Sequence, residues 1–206
     1  NKNCMKQKLL IIGALLLLVA NVEAQRIGIK GGISLSNADV VFADLARTTD
    51  NITGMQVGII GEAKLFPAIY VNSGLLFTQK GFSNNVTTPI ASGHIRINYL
   101  EVPLNLEFKV DVGPVALFAQ AGPYVAYGIN AKNVFEDSSM EPVKIEFGDN
   151  IYDLKRLDYG ASIGAGVEMS VLQIGANYSF GMDNISNIEA IEITNGVFGI
   201  WAAILF

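Results

Sequence analysis

Beyond Cys4 the chain has no cysteine, and it has one histidine, His94, and one tryptophan, Trp201. Without thiols there is no disulfide framework and no thiolate metal site. With a single imidazole, histidine-based catalysis has one possible centre. An excess of base is also missing: 14 Lys and Arg face 19 Asp and Glu, a formal charge of −5. That balance excludes the electrostatic footprint of a nucleic-acid binder. Past residue 20 no apolar run approaches the roughly 20 residues of a membrane-crossing helix. Half of the chain is nevertheless hydrophobic, and that apolar content needs another explanation.

The first 24 residues read as an export signal. Lys6 and Lys8 form a basic start, residues 9–20 an apolar run, and Val22-Glu23-Ala24 a small-residue cleavage site, with the cut expected between Ala24 and Gln25. Met5 is a plausible initiator. The apolar run is short for a retained anchor, and Cys4 precedes it, so it is no lipoprotein cysteine. Removing Lys2, Lys6, Lys8 and Glu23 shifts the charge from −5 by two, to about −7. Residues 25–206 then form one domain.

The apolar content alternates. In 156–169, Leu157, Tyr159, Ala161, Ile163, Ala165, Val167 and Met169 share one parity. Arg156, Asp158, Gly160, Ser162, Gly164, Gly166 and Glu168 share the other. A strand sends successive side chains to opposite faces, so this segment has one greasy and one polar, glycine-rich face. In lipid a strand satisfies its backbone only by pairing, and only closure removes unpaired edges. The pattern predicts an eight-stranded, antiparallel, up-and-down transmembrane β-barrel with short periplasmic turns and long extracellular loops. Strands are expected at 26–34, 53–65, 69–82, 94–110, 114–130, 156–169, 172–181 and 193–206. Polar loops are expected at 35–52, 83–93, 131–154 and 183–192. In the fourth strand Ile95, Ile97 and Tyr99 oppose the parity of the greasy face that starts at Leu100. A bulge explains this, or, more simply, the first half stands above the membrane, where the outside can be polar.

Gly28-Ile29-Lys30-Gly31-Gly32, Gly54-Met55-Gln56-Val57-Gly58, Tyr99-Leu100-Glu101-Val102-Pro103-Leu104, Ala121-Gly122-Pro123-Tyr124 and Asp158-Tyr159-Gly160 occur in this order, followed by an aromatic closing strand. In this the chain resembles the PorT-like outer-membrane β-barrel family, and the resemblance covers essentially all of the exported part. It implies the barrel fold and the outer membrane of a Gram-negative envelope. The family's namesake is associated with secretion of proteases across that membrane.

The charges on inward parity are Lys30, Glu62, Lys64, Glu101, Glu107, Lys109, Asp158 and Glu168. Eight strands leave an interior just wide enough for side chains to fill, and unpaired buried ions are expensive. A structural ion-pair network plugging the tube is therefore expected, ahead of a small pore or a catalytic carboxylate pair. His94, with Ser83 and Ser92 nearby, gives the alternative of a rim hydrolase. Glu136, Asp137, Glu141, Glu146, Asp149 and Asp153 make the third loop acidic. They lack calcium-loop spacing, and a solvated loop is expected ahead of one that bridges divalent cations to lipopolysaccharide. Gly160, Gly164 and Gly166 precede no helix, which excludes a dinucleotide loop; they make room for bulky inward neighbours. Phe66, Tyr70, Phe108 and Phe206 gather at the turn end and Tyr99, Tyr127, Tyr159 and Tyr178 nearer the loops, as two interfacial girdles. Phe198, Trp201 and Phe206 resemble the terminal signal read by the barrel-assembly machinery.

A lipocalin-like carrier is also an up-and-down barrel, but its polarity is the reverse of this one. The expected function is a non-enzymatic, structural or secretion-associated outer-membrane barrel with no catalytic, cofactor or metal site. A surface-binding module acting through the long loops is the alternative. Expected partners are outer-membrane lipid and lipopolysaccharide, and the assembly machinery during insertion. A secretion or surface partner is left open, and nucleic acid is not expected.

Overall fold

The computed structural model describes residues 25–42, 45–84, 93–135, 141–148, 150, 153–188 and 191–206. The expected leader, residues 1–24, lies outside them. Eight long strands build the wall: β1 (Gln25–Phe42), β3 (Ile52–Phe66), β4 (Ile69–Asn84), β5 (Gly93–Val112), β6 (Val115–Phe135), β8 (Leu157–Met169), β9 (Leu172–Gly181) and β10 (Ile191–Leu205). Two short strands, β2 (Leu45–Thr48) and β7 (Val143–Ile145), add to the loop ends of β1 and β6. Each wall strand pairs antiparallel with its neighbour, and β1 returns to β10 in a register running from Gly28↔Leu205 to Phe42↔Ile191. Phe206 extends this seam, its N–H donating to the Ile27 carbonyl at 2.8 Å and its carbonyl accepting from the Ile27 N–H. The ring therefore leaves no open edge among the wall strands, which is what a hydrocarbon surrounding demands.

The outer face is apolar because the alternation runs in phase around the ring. Ile27, Ile29 and Ile33 on β1, Leu106 and Phe108 on β5, and Ile163 and Met169 on β8 all stand exposed, Ile27 to 67%. Holding each such side chain in water costs about 1.5–3 kcal/mol relative to burial, so a belt of them belongs in lipid. Lipocalin polarity is thereby ruled out.

Short turns close one end. Pro67 fixes the entry to the first, where Ala68, the second turn residue, takes φ 66°; in the other two the first turn residue is left-handed, Gly113 (φ 65°) and Ser170 (φ 57°). At the opposite end the strands run on past the lipid. β1 continues through Phe42 where a loop from residue 35 was expected, and β6 continues to Phe135. Above the membrane the outside no longer has to be greasy, so pairing outlasts the sequence pattern. The same account holds for β5, on which Ile97, Tyr99, Glu101, Asn105, Glu107 and Lys109 are all buried on one unbroken inward face. The register does shift beside Asn98 and Tyr99, but the extra residue lies on β6: Tyr99 pairs with Gly128 and Asn98 with Asn130. The bulge turns β6 so that Ala126 and Ala131 both face inward.

Candidate functional site

Inside the ring the charges form two clusters rather than one network. In the lower cluster, towards the turns, Lys109 Nζ lies 2.5 Å from Glu62, 3.1 Å from Glu107 and 2.5 Å from Glu168. Arg26 reaches the same group, 2.5 Å from Glu62 and 2.7 Å from Glu168. The Gln173 amide donates to Glu168 at 2.8 Å and to Glu62 at 3.1 Å. Carboxylate oxygens of Glu62, Glu107 and Glu168 come within 4.8 Å of one another, the spacing of a cation site. The Lys109 ammonium already sits among them, so this trio is neutralised by protein and explains itself as structure.

In the upper cluster, Lys80 Nζ lies 2.8 Å from Glu101 and 3.2 Å from Asp158. Asp158 also accepts from the Asn195 amide at 2.9 Å and the Tyr124 hydroxyl at 3.3 Å. The same ammonium stands 4.0 Å above the Tyr124 ring. Asp158 and Lys80 are essentially inaccessible, at 0% and 1% exposure.

On β5 and β8, which carry members of both clusters, buried Asn105 and Ser162 come between them, the Ser162 hydroxyl donating to the Asn105 amide oxygen at 3.1 Å. An apolar group fills the lumen from β3, β4, β6 and β10. Ile60, Leu76, Phe118, Trp201, Ala203 and Leu205 pack as one buried group. The wall makes room for the rings with glycine: a Cβ at Gly166 would stand 2.5 Å from Phe118 and one at Gly175 2.7 Å from Trp201. Such side-chain filling is what an eight-stranded barrel has space for.

An outward apolar belt around a ring this narrow, with ions paired inside, is the arrangement of small bacterial barrels, and residues 23–187 match the outer membrane protein beta-barrel domain. The chain belongs to that family. No curated protein matches it. Among solved structures it is similar to Ail, the attachment invasion locus protein of Yersinia pestis, at 17% identity over 88% of this chain and 99% of that one, TM-score 0.44. It is also similar to Neisserial surface protein A, at 12% identity over 89% and 100%, TM-score 0.48. The N-terminal barrel domain of Pseudomonas aeruginosa OprF shares 10% over 89% and 100%, TM-score 0.36.

Within this member of the outer membrane protein beta-barrel domain family, Glu62, Glu101, Glu107, Lys109, Asp158 and Glu168 enter the clusters as their parity predicts. Two expected members do not. Lys30 stacks on Trp201, 4.1 Å from the ring centroid, and makes no ion pair among the described residues. Lys64 is exposed at the turn end, its ammonium 5.7 Å from the Tyr70 ring, because it is the last residue of β3 in register before the turn and stands at the mouth of the barrel. Arg26, Lys80 and Gln173 were missing from the expected set. Arg26 and Gln173 already had inward parity. Lys80 was hidden because both faces of β4 mix apolar and polar residues, with Leu76 inside and Ser73 outside.

The closing strand is split. Phe198 and Phe206 face outward, whereas Trp201 is 3% exposed inside the lumen and packs against Phe118 at 5.9 Å. Of the expected girdles, Phe66, Phe108, Tyr127, Tyr159 and Tyr178 face out, but Tyr99 is buried and Tyr70 lies under Lys109 at 4.5 Å.

The loop end is also closed. Leu154 and Ile185 are buried on Ile97, Tyr99, Tyr124, Ala126 and Ala131, with Phe147 and Ile193 around them. The loop before β8 is tied to the loop before β10 by the Lys155 N–H donating to the Ile185 carbonyl at 2.9 Å, and the latter loop folds back on β10 through the Ile185 N–H to the Ile193 carbonyl at 3.0 Å. The Asn187 amide lies 2.8, 3.1 and 3.2 Å from the carbonyls of Gly148, Asp153 and Asn150. Of the acidic loop residues, Glu146 pairs with Lys144 at 2.7 Å and Asp153 accepts from Asn150; Glu136, Asp137 and Asp149 lie outside the described residues. Ser83 stands directly opposite His94 in the β4–β5 register, and Ser92 lies outside the described residues.

Proposed function

We propose that this outer-membrane barrel is non-enzymatic and non-conducting, a structural or assembly-associated protein whose interior serves stability alone. The observation that carries the reading is that the lumen charges are paired in two buried ion clusters, while a packed apolar group and hydrogen-bonded polar side chains such as Ser162 and Asn105 occupy the space between. The carboxylates in it are spent on Lys80, Lys109 and Arg26, which argues against their use as general acid or base. In this reading residues 1–24 are a cleaved export signal, Phe198, Trp201 and Phe206 act in insertion by the assembly machinery, and the finer kinship is to the PorT-like barrels.

The test uses the absence of cysteine after Cys4. Ser162→Cys places a thiol at a buried inward position where, in the native chain, the hydroxyl donates to the Asn105 amide oxygen at 3.1 Å. In proteoliposomes this thiol should resist a charged, membrane-impermeant reagent added from either side and react only after unfolding. Rapid labelling of the folded barrel would contradict the reading.

A second reading, a surface-binding module, is favoured by one observation. The Asn187 and Asn184 side chains hold the two loops around Leu154 and Ile185 in one conformation, which lowers the ordering cost of binding a partner.

A further inference from the structure

Phe147, Gly148, Lys155, Arg156, Leu157 and Asp183 line a cleft of about 420 Å³ at the loop end. It lies outside both ion clusters. Its two adjacent cations are unspent: among the described residues neither Lys155 nor Arg156 makes an ion pair, and Asp183 shares the lining without coming within bridging distance. Arg156 is held in place by aromatics. Its guanidinium carbon lies 5.4 Å from the Tyr127 ring and 5.2 Å from Phe147, and Nη1 donates to the Tyr127 hydroxyl at 3.2 Å. A guanidinium carries five N–H donors, so a pre-positioned fork remains for a ligand.

The cleft sits where the apolar belt ends. Tyr127 and Leu157 are cross-strand partners and both face outward, 48% and 52% exposed. Tyrosine at such a boundary lies at headgroup level, and a stacked arginine beside a lysine suits bidentate recognition of phosphate.

We propose that this cleft binds the phosphate-bearing headgroup of an outer-leaflet lipid, with the acyl chains lying along Leu157 and Tyr127. Among the described lining residues Asp183 leaves one net positive charge, so charge alone makes a weak site and the adjoining apolar surface selects a lipid over free phosphate. The proposal rests on the outer-membrane reading, with the loops facing out, and is independent of whether the lumen conducts.

The experiment titrates the full-length barrel, in a neutral detergent, with a bis-phosphorylated glucosamine-disaccharide lipid, the same lipid stripped of phosphate, and inorganic phosphate. Binding is read by native mass spectrometry. The phosphorylated lipid should bind about tenfold or more tightly than the stripped one, the scale of a charge-assisted hydrogen bond. Arg156→Gln and Lys155→Gln should each remove most of that preference, while Lys64→Gln at the opposite mouth changes nothing and all three variants stay heat-modifiable. Equal binding of both lipids, or an unchanged preference in a Lys155→Gln, Arg156→Gln double variant, would overturn the site. Inorganic phosphate binding as tightly as the lipid would overturn the lipid assignment. Failure of the outer-membrane reading would show separately, as protein recovered in the soluble periplasmic fraction.

Discussion

Replacing Lys109 with methionine removes one charge from the centre of the lower cluster and little volume. Glu62 and Glu168 keep Arg26, at 2.5 and 2.7 Å. Glu107, fully buried, keeps only the Gln173 amide at 3.4 Å among the described residues. Three carboxylates within 4.8 Å then face one partly exposed guanidinium. At an effective dielectric of about 20, two unit charges at that separation repel by about 3.5 kcal/mol. Breaking a buried pair by deleting one partner costs on the order of 3–5 kcal/mol, so the two routes agree. Reversible urea unfolding in detergent micelles, followed by the heat-modifiable gel shift, should show Lys109→Met destabilised by about 3–5 kcal/mol. Adding Glu107→Gln should recover about 1 kcal/mol or more, as expected for coupled neighbours. Lys64→Met, at the exposed mouth, should stay within about 0.5 kcal/mol of the native chain. A Lys109→Met barrel within about 1 kcal/mol of the native one would mean that the three carboxylates do not share that ammonium.

Glu101→Ala should destabilise the barrel by about 3 kcal/mol or more, because it leaves Lys80 with Asp158 alone in a dry site; Glu141→Ala, on the exposed loop, should be neutral in the same titration. Gly175→Ala places a methyl 2.7 Å from the Trp201 indole, and the overpacking should cost about 1–3 kcal/mol and alter the emission of the only tryptophan. Asn187→Ala frees the carbonyls of Gly148 and Asp153. It should speed proteolysis between Phe147 and Lys155 while the barrel's gel shift stays as before; an unchanged cleavage rate would show that Asn187 does not hold the loops.

The wall was legible wherever lipid enforces it. On β8 and β9 the outside must be greasy and the inside small or polar, so Leu157 to Met169 and Leu172 to Gly181 read directly as strands. The pattern fades where the medium changes. The stretch from Leu35 to Phe42 pairs with β10 above the lipid, where no force sorts its two faces. β10 hid its lumen residue for the opposite reason: Val197, Trp201, Ala203 and Leu205 inside are as apolar as Phe198, Ile200 and Ile204 outside, so parity did not separate them. The charges on inward parity were visible singly, but partner choice was not. Division into two clusters depends on ring closure, which brings Arg26 to Glu168 across 142 positions of sequence, and on β4, whose mixed faces concealed Lys80. The cap of Leu154 and Ile185 depends on loop backbone bonds that leave no periodic trace.

A lumen filled by side chains from mouth to mouth carries no current. Single-channel recording in planar bilayers tests it most directly, using the purified, heat-modifiable barrel at high salt. A flat baseline is expected, with no steps at either polarity. Stable, ohmic openings that Glu101→Ala or Lys109→Met enlarge would contradict it, because a continuous water column would then pass through the two ion clusters.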